Sequence, residues 1–165
     1  MGADVHGEAT LVRSYRPSRV LDAGCGTGRV AIELARHRVD VVGVDVDPAM
    51  LDTARSLAPA LDWRLGDLAT ADLGSGYDVA VLAGNVLLFT TPGTEGAVVA
   101  NVAGAVRPDG IVIAGFSLRP GGYDLARFDA DAVAAGLTLL DRWSTWDRAP
   151  FRGGDYAVSV FRRRA

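Results

Sequence analysis

The chain has 165 residues, of which 49% are hydrophobic and 22% charged, and its formal net charge is −3. This length fits a single domain, residues 1–165, and the composition is typical of a globular rather than a disordered chain. No stretch reaches the ~18 unbroken apolar residues of a membrane span, and a lone cysteine excludes an internal disulfide or a cysteine-rich zinc site. We therefore expect a cytoplasmic protein without a metal or a membrane partner.

All 17 basic residues are arginine, so the chain contains no lysine. This excludes chemistry that requires a lysine amine, such as Schiff-base formation or the lysine of a phosphate-binding loop. The mildly acidic balance argues against a nucleic-acid partner, because the phosphates of a nucleic acid require a basic surface.

Apolar runs alternate with helical patterns along the first two thirds of the chain. In chain order, the patterns predict a short helix at 6–15, strands at 19–24, 39–45, 61–67, 77–84 and 110–117, and helices at 29–38, 48–57 and 94–106. The strands are apolar throughout rather than alternating, which is typical of parallel strands covered by helices on both faces.

The last third of the chain predicts a different arrangement. A helix at 124–135 precedes strands at 137–147 and 155–163, which are joined by only about seven residues. A parallel connection needs a longer crossover, so we expect these two strands to pair antiparallel. The predicted fold is α/β: a doubly wound, Rossmann-like seven-stranded sheet, mostly parallel with a C-terminal antiparallel hairpin.

The segment VLDAGCGTGRVAIELA, residues 20–35, carries the clearest functional signal. A buried strand runs through Gly24, Gly26 and Gly28 directly into a helix. Glycines allow positive φ and let the backbone approach a ligand closely, and the helix that follows offers unpaired N–H groups. Such a loop at the carboxyl end of the first strand marks the crevice where open α/β sheets bind ligands.

Two classes of cofactor compete for this loop. A dinucleotide fingerprint requires a glycine at position 29, where this chain has Arg29. Asp22 lies inside the strand end, where a buried carboxylate needs donors such as a ligand ammonium or a backbone amide. Asp45 ends the second strand, where a carboxylate can accept from both hydroxyls of a ribose, a feature that fits either class.

The order of these motifs resembles that of the class I S-adenosylmethionine-dependent methyltransferases. In that family an acid precedes Gly-x-Gly-x-Gly, an acid ends the second strand, and a Gly-Asp pair ends the third. In chain order, the matching segments are 22–28, 44–51, 66–68, 78–88 and 107–110. The likeness runs from about residue 6 to the C-terminus, and it implies S-adenosylmethionine as cofactor and S-adenosylhomocysteine as product.

The resemblance implies a role for the glycine loop at the methionine end of the cofactor. The backbone of Gly24, Cys25, Gly26 and Gly28 would lie along the methionine part, with Asp22 near its amino group.

The resemblance also assigns the nucleoside end of the cofactor. Asp45 would bind the ribose hydroxyls, and Val46 and Met50 would sandwich the adenine. Asp67 would accept from the adenine amino group, and the Leu68 amide would donate to a ring nitrogen.

Gly84 and Asn85 would close the site beside the methionine. A general base is optional when the acceptor is already nucleophilic, and the catalytic residues stay unknown. The candidates are Asn85 and His6, whose HGEA segment resembles one that precedes the glycine loop in small bacterial methyltransferases.

Absent motifs narrow the methyl acceptor. The segment AGNV at 83–86 lacks the Asn/Asp-Pro-Pro-Tyr signature of enzymes that methylate amino groups of DNA bases and the Pro-Cys nucleophile of cytosine C5 enzymes. Without lysine, the tetrad of ribose-methylating RNA enzymes is impossible. A small-molecule oxygen, nitrogen or sulfur nucleophile remains, and its pocket is expected from residues 85–89, 116–123 and 143–151, with 119–122 as a mobile lid.

Two alternative functions stay open from the sequence: an NAD-dependent oxidoreductase, and a regulatory module that binds S-adenosylmethionine without catalysis. Related enzymes usually carry further N-terminal helices, whereas residues 1–18 supply one short helix. One interpretation is that a cover over the cofactor is missing. The sequence does not indicate which oligomeric state the protein adopts.

Overall fold

The computed structural model describes residues 5–165, so the first four residues of the predicted N-terminal segment lie outside it. In chain order the elements are α1 (Gly7–Arg13), β1 (Arg19–Ala23), α2 (Arg29–Arg36), β2 (Asp40–Asp45), α3 (Pro48–Leu57), β3 (Asp62–Leu65), β4 (Tyr77–Leu82), α4 (Val86–Phe89), α5 (Glu95–Ala105), β5 (Val106–Ser117), α6 (Leu125–Ala134), β6 (Leu137–Trp143) and β7 (Tyr156–Arg163). Within the described range, no helix combines the length and apolarity needed to cross a membrane.

The seven strands form one sheet in the order β3-β2-β1-β4-β5-β7-β6. Strands β1 to β5 run parallel, and β7 pairs antiparallel with both β5 and β6. The predicted fold is therefore confirmed, including the C-terminal antiparallel pair. Because β1 lies between β2 and β4, the chain reverses its winding direction after β3, and this switch point is where open α/β sheets form ligand crevices.

Successive residues of the strands enter two different cores, one on each face of the sheet. Val20 packs with α1, α2 and α3, whereas Leu21 packs with α4, α5 and α6. This explains why the strands are apolar throughout: both faces are covered. Asp22 follows Leu21, so its side chain lies on the α2 face within an apolar layer.

The largest differences from the sequence prediction are one additional helix and two strand boundaries. Helix α4 was not predicted, because four residues carry no helical period. Strand β5 begins at Val106 rather than at residue 110; Val106 pairs with Tyr77, and the turn residues 107–110 bulge out of the strand. Strand β6 ends at Trp143 rather than at residue 147, since Ser144 turns back to donate to the Ala149 carbonyl at 2.9 Å.

Helix α1 is held against α2 by polar contacts as well as by its buried side chains. The Arg29 guanidinium pairs with Glu8 and donates to the Val5 carbonyl at 3.0 Å. Arg29 therefore reaches outward to α1. The contact between α2 and the sheet is made by Val30, Ala31 and Leu34.

Candidate functional site

A cavity of about 460 Å³ opens at the carboxyl ends of β1, β2, β3 and β4. Its size lies within the range of small-molecule sites. Its walls come from five loops and from helices α3, α4 and α5: Gly24, Gly26, Asp45, Val46, Asp47, Met50, Gly66, Asp67, Leu68, Gly84, Val86, Phe89, Thr90, Thr91 and Val98. We call this space the first cavity.

The glycine loop forms one end of the first cavity with its backbone. The Gly24 and Cys25 amides donate to the Val44 carbonyl at 2.8 and 3.0 Å, which fastens the loop to β2. Gly24 has φ +79°, and a Cβ there would lie 2.6 Å from Val86 Cγ2. Gly26 has φ +56° with open space beside its Cα. The loop therefore requires glycine at both positions, for close packing at one and backbone conformation at the other.

Asp45 joins the loops around the middle of the first cavity. Its Oδ2 accepts from the Gly26 amide at 2.8 Å and its Oδ1 from the Asp47 amide at 2.9 Å, while its carbonyl accepts from the Gly66 amide at 2.9 Å. Each carboxylate oxygen has a second lone pair, so Asp45 can still accept from ligand hydroxyls.

The far end of the first cavity is largely apolar. Val46 and Met50 are 67% and 42% exposed along one wall. Asp67 and Leu68 line the cavity too, and Asp67 Oδ1 accepts from the Ala69 amide at 2.9 Å, which fixes the carboxylate in a tight turn. An apolar slot with one fixed carboxylate suits a flat, nitrogen-rich ring.

Asp22 lies behind the glycine loop rather than in the cavity wall. It is 2% exposed, and burial raises the pKa of this carboxyl to about 7, although the Ala31 amide and Arg29 favour the ionised form. Its Oδ2 has no hydrogen-bond partner among the described residues. A buried acceptor in this state must be satisfied by a proton or by a donor that arrives with a ligand.

Cys25 and Gly28 also lie outside the cavity wall: Cys25 belongs to the same buried cluster as Trp63, and Gly28 lies directly against the Trp63 ring. A Cβ on Gly28 would lie 2.5 Å from Trp63 Cη2, and one on Gly43 would lie 2.6 Å from the same ring. The Trp63 indole donates to the Ala58 carbonyl at 2.8 Å, which fixes the ring below the loop. Sequence reasoning missed Trp63, although the isolated glycine within VVGVD at 41–45 signals such a close approach.

Gly84 lines the first cavity, whereas Asn85 does not. Asn85 adopts φ +62°, and its Oδ1 accepts from the Ser117 amide at 2.8 Å. Its side chain therefore ties the end of β4 to the end of β5, directly before α4 begins.

His6 does not line the first cavity and lies against α2. Its carbonyl accepts from the Thr10 amide, and its Nε2 is 3.5 Å from Glu33, on the same α2 carboxylate that His37 and Arg36 contact. The structure thus places the two catalytic candidates, His6 and Asn85, outside the cavity wall.

A second cavity of about 310 Å³ lies beyond α4 and shares Thr90 with the first. Part of the predicted acceptor pocket lines it, namely α4 residues and the segment that follows β5. The predicted contribution of residues 143–151 is absent from its lining. Trp146 instead packs against Gly7 and Gly115 and donates to the Tyr156 hydroxyl at 2.9 Å, on the α1 face of the sheet.

Comparison with known proteins relates this chain to a sequence family and to a solved structure. Residues 20–110 match the sequence family described as a methyltransferase domain. The crystal structure of a TehB-like SAM-dependent methyltransferase from Corynebacterium glutamicum superposes with a TM-score of 0.92 at 34% identity, covering 99% of this chain and 90% of that one.

Two curated relatives match over shorter stretches. Magnesium-protoporphyrin O-methyltransferase of Rhodobacter capsulatus is 38% identical over 79 residues, which are 45% of this chain and 35% of the relative. A dTDP-3-amino-3,4,6-trideoxy-alpha-D-glucopyranose N,N-dimethyltransferase of Streptomyces venezuelae is 32% identical over 108 residues, 64% of this chain and 46% of the relative. The matched stretch therefore spans less than half the length of either relative.

Proposed function

The chain belongs to the class I S-adenosylmethionine-dependent methyltransferases, and we propose that it transfers the cofactor's methyl group to an oxygen, nitrogen or sulfur atom of a small molecule. The observation that carries this proposal is the order of chemical environments along the first cavity. Glycine backbone at Gly24 and Gly26 follows β1, the Asp45 carboxylate ends the neighbouring β2, and Asp67 follows β3, the next strand of the sheet. The apolar side chains of Val46 and Met50 line the same cavity. An amino acid, a ribose and an adenine follow one another in the same order along S-adenosylmethionine.

The unpartnered Oδ2 of Asp22 supports the fit at the methionine end. The carboxylate stands behind the loop whose glycines would hold the amino-acid part, and it lacks one donor. The ammonium of a bound methionine moiety carries a positive charge and N–H donors. It can donate to the Asp22 carboxylate directly or through one water. Binding would therefore satisfy the one buried acceptor that the described residues leave open at this end of the sheet.

When bound, the cofactor supplies a methyl group activated by its sulfonium. The chain's own task is to hold the two reactants in line and to keep water out. Asp45 would hold the ribose hydroxyls, and the Asp67 carboxylate with the Leu68 amide would hold the adenine. We propose these cofactor contacts for six residues: Asp22, Asp45, Val46, Met50, Asp67 and Leu68.

The lining of the first cavity favours an acceptor that needs no protein base. The described residues of its wall include no histidine, tyrosine or cysteine, and its carboxylates Asp45, Asp47 and Asp67 already accept backbone hydrogen bonds. A thiolate, an ionised acidic hydroxyl or a weakly basic amine reacts without proton removal by the enzyme, because its lone pair is available at neutral pH.

The two curated relatives support a small-molecule acceptor, since their names give a porphyrin and a nucleotide-linked sugar. A transfer assay tests the proposal. The protein is incubated with methyl-tritiated S-adenosylmethionine and a bacterial extract split into a low-molecular-weight fraction, a protein fraction and a nucleic-acid fraction.

We expect a labelled low-molecular-weight product that chromatography separates from S-adenosylmethionine, and no such product with Asp45→Ala, which removes the proposed ribose ligand. Label in the protein or nucleic-acid fraction would overturn the acceptor class. Tight cofactor binding without transfer to any fraction would indicate a binding module instead.

A further inference from the structure

The second cavity lies between α4 and the segment that connects β5 to α6. Its walls combine apolar side chains with a cationic rim: Leu87, Leu88, Thr90, Pro92, Gly93, Glu95, Arg119, Gly121, Gly122, Tyr123 and Arg127. Because Thr90 lines both cavities, a molecule in the second cavity adjoins the space assigned to the cofactor.

Glu95 is the only acidic residue among the described residues of this lining, and its carboxylate already has partners. The side chain is buried, its Oε1 accepts from the Gly93 amide at 2.7 Å, and its Oε2 lies 3.6 Å from Arg127. A carboxylate with those contacts needs no cation from a ligand.

Arg119 differs from Arg127, because it forms no ion pair with any residue in the range 5–165. It lies exposed on the rim of the cavity, and its carbonyl accepts from the Gly122 amide at 3.0 Å, so a turn fixes its backbone. With Glu95 and Arg127 paired, the lining of the second cavity carries one positive charge that no acid in it balances.

The remaining wall is apolar and held in place. Tyr123 packs on Phe116 and Phe128 with ring centroids 5.8 and 6.1 Å away, and its hydroxyl donates to Asp131 at 2.6 Å. Burial raises the pKa of Tyr123, so the ring stays neutral. Leu87 and Leu88 of α4 face the same space. The wall therefore suits an apolar or aromatic body rather than a second charged group.

We propose that the second cavity binds the carboxylate-bearing part of the methyl acceptor, with its apolar body on Leu87, Leu88 and Tyr123 and its carboxylate on Arg119. The guanidinium fork matches a planar carboxylate with two parallel hydrogen bonds. A volume of about 310 Å³ is small for a ligand site, which favours a compact ring or short chain. The assignment to the acceptor rests on the proposed function; the binding of an organic carboxylate at Arg119 does not.

Nuclear magnetic resonance on protein labelled at its leucine methyl groups tests this proposal with two probes of the same shape. Benzoate carries the carboxylate, and benzamide replaces it with a neutral amide. In protein saturated with S-adenosylhomocysteine, we expect benzoate to shift the Leu87 and Leu88 methyl signals and leave Leu139, on β6, unmoved. Benzamide should bind at least about tenfold more weakly, as expected for the loss of a charge-assisted pair.

Arg119→Gln should weaken benzoate binding by about tenfold. The control is Arg152→Gln, which changes an exposed arginine that lines neither cavity and should leave benzoate binding unchanged. Equal shifts with benzamide, unchanged binding in Arg119→Gln, or displacement of benzoate by S-adenosylhomocysteine would each overturn the proposal. Calorimetry with S-adenosylhomocysteine alone distinguishes a failure of this proposal from a failure of the proposed function. A protein that does not bind S-adenosylhomocysteine contradicts the proposed function, whatever the result with benzoate.

Discussion

The two cavities meet at Thr90, yet they are built in different ways. The first is made by the ends of parallel strands and by backbone: Gly24, Gly26 and Gly66 are fastened through the Val44 carbonyl and the Asp45 carboxylate and carbonyl. The second is made by side chains of a short helix and of the segment after β5. The shape of the first cavity follows from the sheet itself, whereas that of the second depends on individual side chains that can vary without loss of the fold.

This contrast is tested most strongly at Trp63, the buried ring beneath the glycine loop. Trp63→Ala should lower the free energy of unfolding by about 3–5 kcal/mol, since it removes an aromatic side chain from a close-packed site. Trp63→Phe keeps part of that packing and should lose less. Chemical denaturation of both variants gives the values.

For comparison, Tyr123→Phe in the second cavity removes one hydroxyl and its bond to Asp131, so it should cost only about 1 kcal/mol. A loss for Trp63→Ala as small as that for Tyr123→Phe would contradict the idea that the sheet and its core fix the first cavity more firmly.

The pH dependence of cofactor binding tests the methionine end of the first cavity. Burial raises the pKa of Asp22 to about 7 from an ordinary 3.8, so in the unliganded folded chain the carboxyl is protonated at pH 5.5 and ionised at pH 8. A bound ammonium favours the ionised form, and binding below the folded pKa must therefore release a proton. The affinity for S-adenosylhomocysteine should rise with pH up to about 7, by about tenfold or more from pH 5.5.

Calorimetry at pH 5.5, 7 and 8 measures this dependence, and Asp22→Asn provides the control because an amide does not titrate. A profile as steep in Asp22→Asn as in the unchanged chain would assign the effect to another group. The raised pKa of Asp22 also affects stability. The free energy of unfolding of the unliganded chain should fall as the pH rises from 4 to 7, because in this range the folded chain holds a proton that the unfolded chain has released.

A smaller effect is expected at Asn85, which ties β4 to β5 between the two cavities. Asn85→Ala loses the bond to the Ser117 amide and puts alanine at φ +62°, so the unfolding free energy should fall by about 1–2 kcal/mol. Asn85→Gly loses the bond but tolerates the backbone conformation. If thermal unfolding shows glycine to be no better than alanine, the backbone contributes nothing at this position.

The first cavity could be predicted from the sequence because its parts have local signatures. Glycine spacing, apolar strands and an acid at a strand end are visible in a few neighbouring residues, and they pointed to Gly24 and Asp45. Met50 and Asp67 followed from the resemblance to the methyltransferase family, and all four residues line the first cavity. The same signatures could not show that Cys25 and Gly28 turn toward Trp63, because that contact joins segments 35 to 38 positions apart.

The second cavity could be predicted only in part, for the same reason. The segment 119–122 stood out through its glycines, but helix α4 is too short for a helical period and Glu95 looks like an ordinary first-turn acid. The long segment after β6 also appeared to belong to the acceptor site. The bond from Trp146 to Tyr156, made by tertiary packing, places it on the opposite face of the sheet.

Calorimetric titration of S-adenosylhomocysteine into three proteins tests the central claim most directly: the unchanged chain, Asp45→Ala, and Asp40→Ala, an exposed carboxylate at the other end of β2. The first and third should bind one equivalent with equal affinity. Asp45→Ala, checked as folded by circular dichroism, should bind about 100-fold more weakly or not at all, since two charge-assisted bonds to the ribose are lost. Equal affinity in all three proteins would contradict the assignment of the first cavity to the cofactor.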